Sequence, residues 1–156
     1  MIYCDKAAFY IYNEEEEKSE CLRKVTGAHK HSITTMAHDE HLSLVATGTE
    51  NGEVAVWDYE LSHLLGVCLG HNRGTEVTQI AFLAPYPVMV TSGADCKICL
   101  WSVRPIPSKE CYICFQTFIN VSFNYHDEQT FPVRAISVWH GEKLKGISRG
   151  KAMKHQ

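Results

Sequence analysis

The sequence has no apolar run long enough to cross a membrane, little net charge and no low-complexity bias, and each absence removes a class of protein. Apolar stretches such as residues 79–90 fall far short of the ~20 residues a helix needs to span a bilayer, and this one is interrupted by Pro85 and Pro87. A formal net charge of −3 gives no global attraction for a phosphate backbone, which argues against a specific nucleic-acid partner. The opening residues Met1-Ile2-Tyr3-Cys4-Asp5 lack the charged and apolar regions of a secretory signal. The seven cysteines are therefore expected as reduced thiols in the cytosol, and their odd number fits poorly with a closed disulfide framework. No Asp-x-Asp-x-Asp-Gly loop ending in Glu is present, so no calcium loop is expected. What remains is a 156-residue chain, 45% apolar and 21% charged, in the ordinary globular range. Collagen, coiled coil and disorder throughout are excluded.

The dominant pattern is short alternation rather than the 3.6-residue stripe of a helix. Ile33-Thr34-Thr35-Met36-Ala37, Leu44-Val45-Ala46-Thr47-Gly48, Val54-Ala55-Val56-Trp57 and Leu64-Leu65-Gly66-Val67-Cys68-Leu69 read as strands. They are separated by turn clusters such as Thr49-Glu50-Asn51-Gly52 and Gly70-His71-Asn72-Arg73-Gly74. An all-β meander of short antiparallel strands is expected.

The strands repeat. Thr47-Gly48-Thr49-Glu50-Asn51-Gly52-Glu53-Val54-Ala55-Val56-Trp57-Asp58 aligns without a gap on Thr91-Ser92-Gly93-Ala94-Asp95-Cys96-Lys97-Ile98-Cys99-Leu100-Trp101-Ser102. Upstream, His29 and His71 each precede a strand, Ile33-Thr34-Thr35-Met36 or Val77-Thr78-Gln79-Ile80. The period is that of repeats of roughly 40–45 residues. On these residues the chain resembles the WD40-repeat family. The resemblance implies antiparallel four-stranded blades and, at this length, an incomplete, open β-propeller. It also implies two hydrogen-bonded sets that hold the blades: His29, Thr47, Asn51 and Trp57, then His71, Thr91, Asp95 and Trp101. Asn51 stands where the family has Asp, so the first set is expected to be weaker. Ala28 replaces the usual Gly before His29, and Ser102 the Asp after Trp101.

The implied division is a partial blade of last strands at 1–27, a blade at 28–70 and a blade with a long loop at 71–129. A first strand of a further blade at 130–140 and a basic, disordered tail at 141–156 complete it. Within the partial blade, residues 8–13 and 21–25 read as its third and fourth strands. Residues 111–115 read as the fourth strand of the second whole blade, 120–129 as a polar loop and 132–138 as the further first strand. Open ends leave apolar faces and strand edges uncovered, so the chain is expected to associate, to misfold or to require a partner.

The main rival reading is a zinc site. Cys96-Lys97-Ile98-Cys99 and Cys111-Tyr112-Ile113-Cys114 make two C-x2-C pairs, a spacing that can close a tetrahedral thiolate site where the backbone turns. On a strand, however, residues i and i+3 point to opposite faces. Cys99 and Cys114 are then expected as small buried hydrophobes. His38-Asp39-Glu40-His41 is read as a solvated turn and the acidic run at 14–17 as a solvated connection.

The sequence therefore predicts a non-enzymatic WD40 protein-interaction scaffold with no metal and no other cofactor. Its partners are expected to be proteins, with no specific nucleic acid and no membrane. Residues 33–115 are further similar to large ciliary WD-repeat proteins that also carry EF-hands. That similarity implies a part of a larger WD-repeat protein, in the cytoplasm and in the cilium or axoneme.

Overall fold

A computed structural model describes residues 2–5, 8–13, 20–26, 29–104, 111–119, 121–123 and 128–138. Every regular element among them is a strand. A three-stranded sheet comes first, β1 (Ile2–Asp5), β2 (Ala8–Asn13) and β3 (Glu20–Thr26), in the order β1-β2-β3. The first whole blade is β4 (Ile33–Asp39), β5 (Leu44–Thr49), β6 (Val54–Asp58) and β7 (Leu64–Cys68). The second is β8 (Val77–Phe82), β9 (Val88–Gly93), β10 (Lys97–Ser102) and β11 (Cys111–Ile119). Both are antiparallel meanders, and their outer strands meet in a short parallel ladder, Val67 opposite Cys111 and Cys68 opposite Tyr112. A hairpin of β12 (Val121–Phe123) and β13 (Glu128–Thr130) follows.

Four strand readings are corrected. Residues 132–138, expected as the first strand of a further blade, form no regular element. Ile2–Asp5 adds a strand to the two expected at the start; four residues with no turn signal before them carry too little alternation to be recognised alone. β11 runs on to Ile119, because its ladder with β10 continues to Lys97 opposite Ile119. The expected polar loop contains the β12–β13 hairpin. The acidic run at 14–17, Ala28 and the basic stretch 141–156 lie outside the described residues.

The core lies between stacked sheets, and the alternation of each strand decides which neighbour it meets. Leu44, Ala46, Val54 and Val56 point to the second blade and pack with Val77, Ile80, Met89, Cys99 and Trp101. The other face of the first blade, Val45, Ala55 and Trp57, packs with Phe9, Ile11 and Val25 of the three-stranded sheet. Phe9 meets Trp57 edge-on at 5.3 Å, a favoured aromatic geometry. The same face-to-face relation thus occurs twice: the tryptophan side of each blade lies against the sheet before it.

Candidate functional site

Each whole blade carries a buried threonine whose hydroxyl joins two strands and the segment before the blade. In the first, Trp57 Nε1 donates to Thr47 Oγ1 at 3.0 Å and His29 Nε2 lies 2.7 Å from the same oxygen. In the second, Trp101 Nε1 donates to Thr91 Oγ1 at 2.9 Å and His71 Nε2 lies 2.8 Å away. A hydroxyl has one proton. When the histidine ring is neutral and tryptophan donates to the hydroxyl, the threonine proton can go to Nε2, the tautomer then carrying the ring hydrogen on Nδ1. Polarised in series, such bonds reinforce each other. Thr47 and Thr91 are fully buried, so neither hydroxyl has room beside it for a substrate.

The fourth members differ. In the second blade Asp95 closes the set: His71 Nδ1 lies 3.0 Å from Oδ1, and the amides of Asn72 and Lys97 donate to the carboxylate at 2.9 and 3.2 Å. Both side chains are sealed from solvent. Burial works to raise the Asp95 pKa, but the Asn72 amide, the hydrogen bond and charge of the His71 ring, and the Lys97 amide outweigh it. The carboxyl is therefore held below its ordinary value of 3.8.

In the first blade Asn51 does not join His29, which corrects its expected role. Its Oδ1 instead accepts from the Gly74 amide of the following connection at 2.9 Å. The cause is two positions earlier. Thr49 Oγ1 takes the amides of Asn51 and Glu53 at 3.3 and 3.2 Å, as Asp95 takes the Lys97 amide in the second blade. Gly93 stands at the Thr49 position there, and a Cβ on it would lie 2.5 Å from Asp95 Oδ1 and 2.7 Å from His71 Nδ1. Only a glycine leaves space for the carboxylate to fold back onto the histidine. His29 Nδ1 has Glu53 at 3.6 Å instead. Burial, opposed by the charge and hydrogen bond of Glu53 and aided by His31, pushes the His29 pKa below 6.5. Thr49, Glu53 and Gly93 were not among the expected site residues, although the Thr49/Gly93 column of the repeat alignment marks the difference.

The cysteines are not assembled into one site. Cys96 occupies the turn, at φ 65°, in the place Gly52 fills with φ 81°. Cys99 faces Thr117 across the ladder and Cys114 faces Trp101, while Cys111 lies beside Val67 of the other blade. Cys96 adjoins the Ile119 end of β11, and the strand Cys111–Ile119 spans roughly 25 Å at ~3.3 Å per residue. Cys96 and Cys111 therefore cannot share one ion at a Zn–S distance of about 2.3 Å. Burial pushes the Cys99 thiol up to about 11, with Thr117 opposing and Cys114 adding to the shift; a protonated thiol is a poor ligand. The turn candidate His38-Asp39-Glu40-His41 spreads along the end of β4: His38 stacks near Tyr59 at 4.9 Å and lies 4.0 Å from Glu40, while Asp39 accepts from the Leu42 amide.

Next to the two sets, between the blades, lies a cleft of about 450 Å³. Its walls are the turn Asn51, Gly52 and Glu53 of the first blade and the connection Leu69, Gly70, His71 and Arg73 into the second. Leu69, 73% exposed, also borders a smaller hollow of about 160 Å³ reaching His29 and Val54. On the far side Lys97 Nζ donates to Gly70 O at 3.2 Å and Asn72 Oδ1 at 2.9 Å, fixing the connection. An exposed apolar side chain thus shares this cleft with an acidic and a basic residue.

Comparison with known proteins agrees with this architecture. The profile of the family "WD domain, G-beta repeat" matches residues 19–58 and 62–102. Over 79 residues, 51% of this chain, the sequence is 32% identical to NACHT domain- and WD repeat-containing protein 1 of Mus musculus, of which it spans 5%. It is 26% identical over 140 residues, 85% of this chain, to nuclear distribution protein PAC1 of Arthroderma otae, and spans 28% of that protein. A crystal structure of RRP9 WD40 repeats superimposes with a TM-score of 0.62 at 17% identity, covering 81% of this chain and 36% of that one. By its two matched repeats and its blades, the chain belongs to the WD40-repeat family.

Proposed function

We propose that this chain is a non-enzymatic protein-interaction scaffold that offers the cleft between its blades, centred on Leu69, to partner proteins. The observation that carries the reading is the exposure of Leu69 in a cleft it lines together with Glu53 and Arg73. An exposed apolar side chain ringed by charge is the pattern of a small protein-binding surface. The hydroxyls that would have to serve a catalytic reading are buried and already bonded within the blades. WD40 membership supports the scaffold class, and the greater length of the curated relatives supports a role within a larger WD-repeat assembly. A cytoplasmic location reaching the cilium is proposed on the sequence resemblance alone, and imaging of the tagged chain in ciliated cells tests it.

The scaffold reading is tested by affinity capture with the intact chain, followed by calorimetry with each purified protein retained. Leu69→Asp and Arg73→Glu are expected to weaken binding at least tenfold without moving the thermal midpoint. A partner indifferent to both substitutions, or none retained above control, contradicts the reading.

A further inference from the structure

Where Asn51 turns away from His29, it leaves hydrogen-bond donors on the wall of the cleft. Its Oδ1 accepts from the Gly74 amide at 2.9 Å. A backbone N–H requires an acceptor, so the orientation of the side-chain amide is settled and both Nδ2 hydrogens are left over. No hydrogen bond among the described residues takes them. Arg73, the neighbour of Gly74, is exposed and forms no ion pair among the described residues. Asn51 and Arg73 line the same cleft, and the turn and the connection that carry them touch: a Cβ on Gly52 would collide with Asn72 O.

The charges around these donors leave a positive excess. Glu53, the one acid lining the cleft among the described residues, already lies 3.6 Å from His29 Nδ1. Asp95 is sealed behind the connection, holding His71 and the amides of Asn72 and Lys97. Lys97 Nζ donates only to two neutral oxygens, Gly70 O and Asn72 Oδ1. The smaller hollow that Leu69 also borders has a different character: Val54, Val67, Cys68 and Leu69 make most of its wall. Glu53 and Leu69 belong to both spaces. A donor-rich cleft therefore adjoins an apolar hollow.

We infer that the cleft receives an acidic peptide segment of a partner protein, its carboxylate seated on the Arg73 guanidinium and Asn51 Nδ2 and an apolar side chain entering the hollow beside Leu69. The inference rests on the scaffold reading and names the chemistry of its partner. A guanidinium meets a carboxylate through two parallel bonds, and the asparagine amide adds a further donor. Glu53, common to both spaces, disfavours a second acid where the apolar side chain sits, which fixes the order of the two groups on the partner. The site follows from the difference between the blades. The aligned Asp95 is drawn onto its histidine, whereas Thr49 takes the turn amides of the first blade and leaves Asn51 facing the connection.

Fluorescence anisotropy of the full chain with three capped, fluorescein-labelled peptide pools tests this. Each pool fixes one leucine and randomises its flanks among alanine, serine and one further residue: glutamate, glutamine or lysine. The glutamate pool is expected to bind about tenfold more tightly than the other two and to weaken as salt is raised. Arg73→Gln and Asn51→Asp should each weaken it about fivefold at an unchanged thermal midpoint, since aspartate still accepts from Gly74 but offers no hydrogen. Arg73→Lys, keeping the charge without the fork, should fall between, and Glu53→Gln should bind more tightly. No binding, no preference for glutamate over glutamine, full affinity in Arg73→Gln or Asn51→Asp, or weaker binding in Glu53→Gln would each overturn the inference. Poly(U) RNA bound as tightly as the glutamate pool and lost through the same substitutions would also overturn it. If Asn51→Asp does not fold, the exposed Arg73→Gln decides. A captured partner lost on Leu69→Asp yet held equally by Arg73→Gln and Asn51→Asp overturns the carboxylate seat and leaves the scaffold reading standing; indifference to all three removes both.

Discussion

The two whole blades share one threonine-centred core and differ in how they finish it. Around Thr47 and Thr91 the tryptophan and histidine contacts agree to within 0.1 Å. One step further out, the second blade brings a carboxylate onto its histidine while the first turns Asn51 toward the next connection. The divergence follows from one column of the repeat, Thr49 against Gly93, because a side chain there occupies the space the carboxylate needs. The shared core belongs to the blade. The variable outer contact is set by local sterics, and it determines which ionisation each blade depends on.

The largest effects are expected where the blades agree. Trp57→Ala and Trp101→Ala each remove a buried indole and its bond to threonine, and should cost about 3–5 kcal/mol in chemical denaturation. If either leaves the denaturation midpoint unmoved, the shared core is not what holds that blade. Gly93→Ala should cost about 1–3 kcal/mol by displacing Asp95 from His71. The combined Thr49→Gly and Asn51→Asp change should build the second blade's arrangement into the first. A carboxylate beside the ring would then raise the His29 pKa, measured by NMR titration; an unchanged titration would refute the steric explanation.

Acid should separate the blades next. The folded-state pKa of His29 is below 6.5, so the unfolded chain takes up that proton first. The His29 contribution is complete above the unfolded pKa of about 6.5 and declines as pH falls below it. Asp95 is held below 3.8, so its contribution is present above that value and is lost only as pH falls through the lower, folded pKa. Urea midpoints against pH should show both steps, with Asp95→Asn removing the lower one. The smallest effect is Cys96→Gly, expected to stabilise by about 1 kcal/mol by relieving a left-handed backbone at a non-glycine residue. Thermal unfolding checks this, and a destabilised variant would show that the cysteine side chain contributes more than its backbone costs.

Much of this was legible because the repeat places chemically distinctive residues in register. Thr47, Thr91, the two tryptophans and the two histidines could be aligned from the sequence, and alternation separated the two faces of each strand. β1 was not legible, since Ile2–Asp5 is recognised as a strand by its ladder to β2 and by little in its own residues. The role of Asn51 was misassigned because an aligned position gives a residue's place in the backbone, whereas its partner depends on the side chains competing for the same turn amides. The paired cysteines gave a spacing without a geometry: strand direction and ladder register separate Cys96 from Cys111.

The most direct test of the shared core is long-range nitrogen–proton NMR of the two histidine rings, with indole exchange, at a pH well above the ordinary histidine pKa of about 6.5. Both His29 and His71 should carry the hydrogen on Nδ1 with Nε2 accepting, and the indole protons of Trp57 and Trp101 should exchange slowly. Rings protonated on Nε2 would reverse the direction assigned to the threonine–histidine bonds, and indole protons exchanging as fast as exposed ones would contradict the threonine-centred blade.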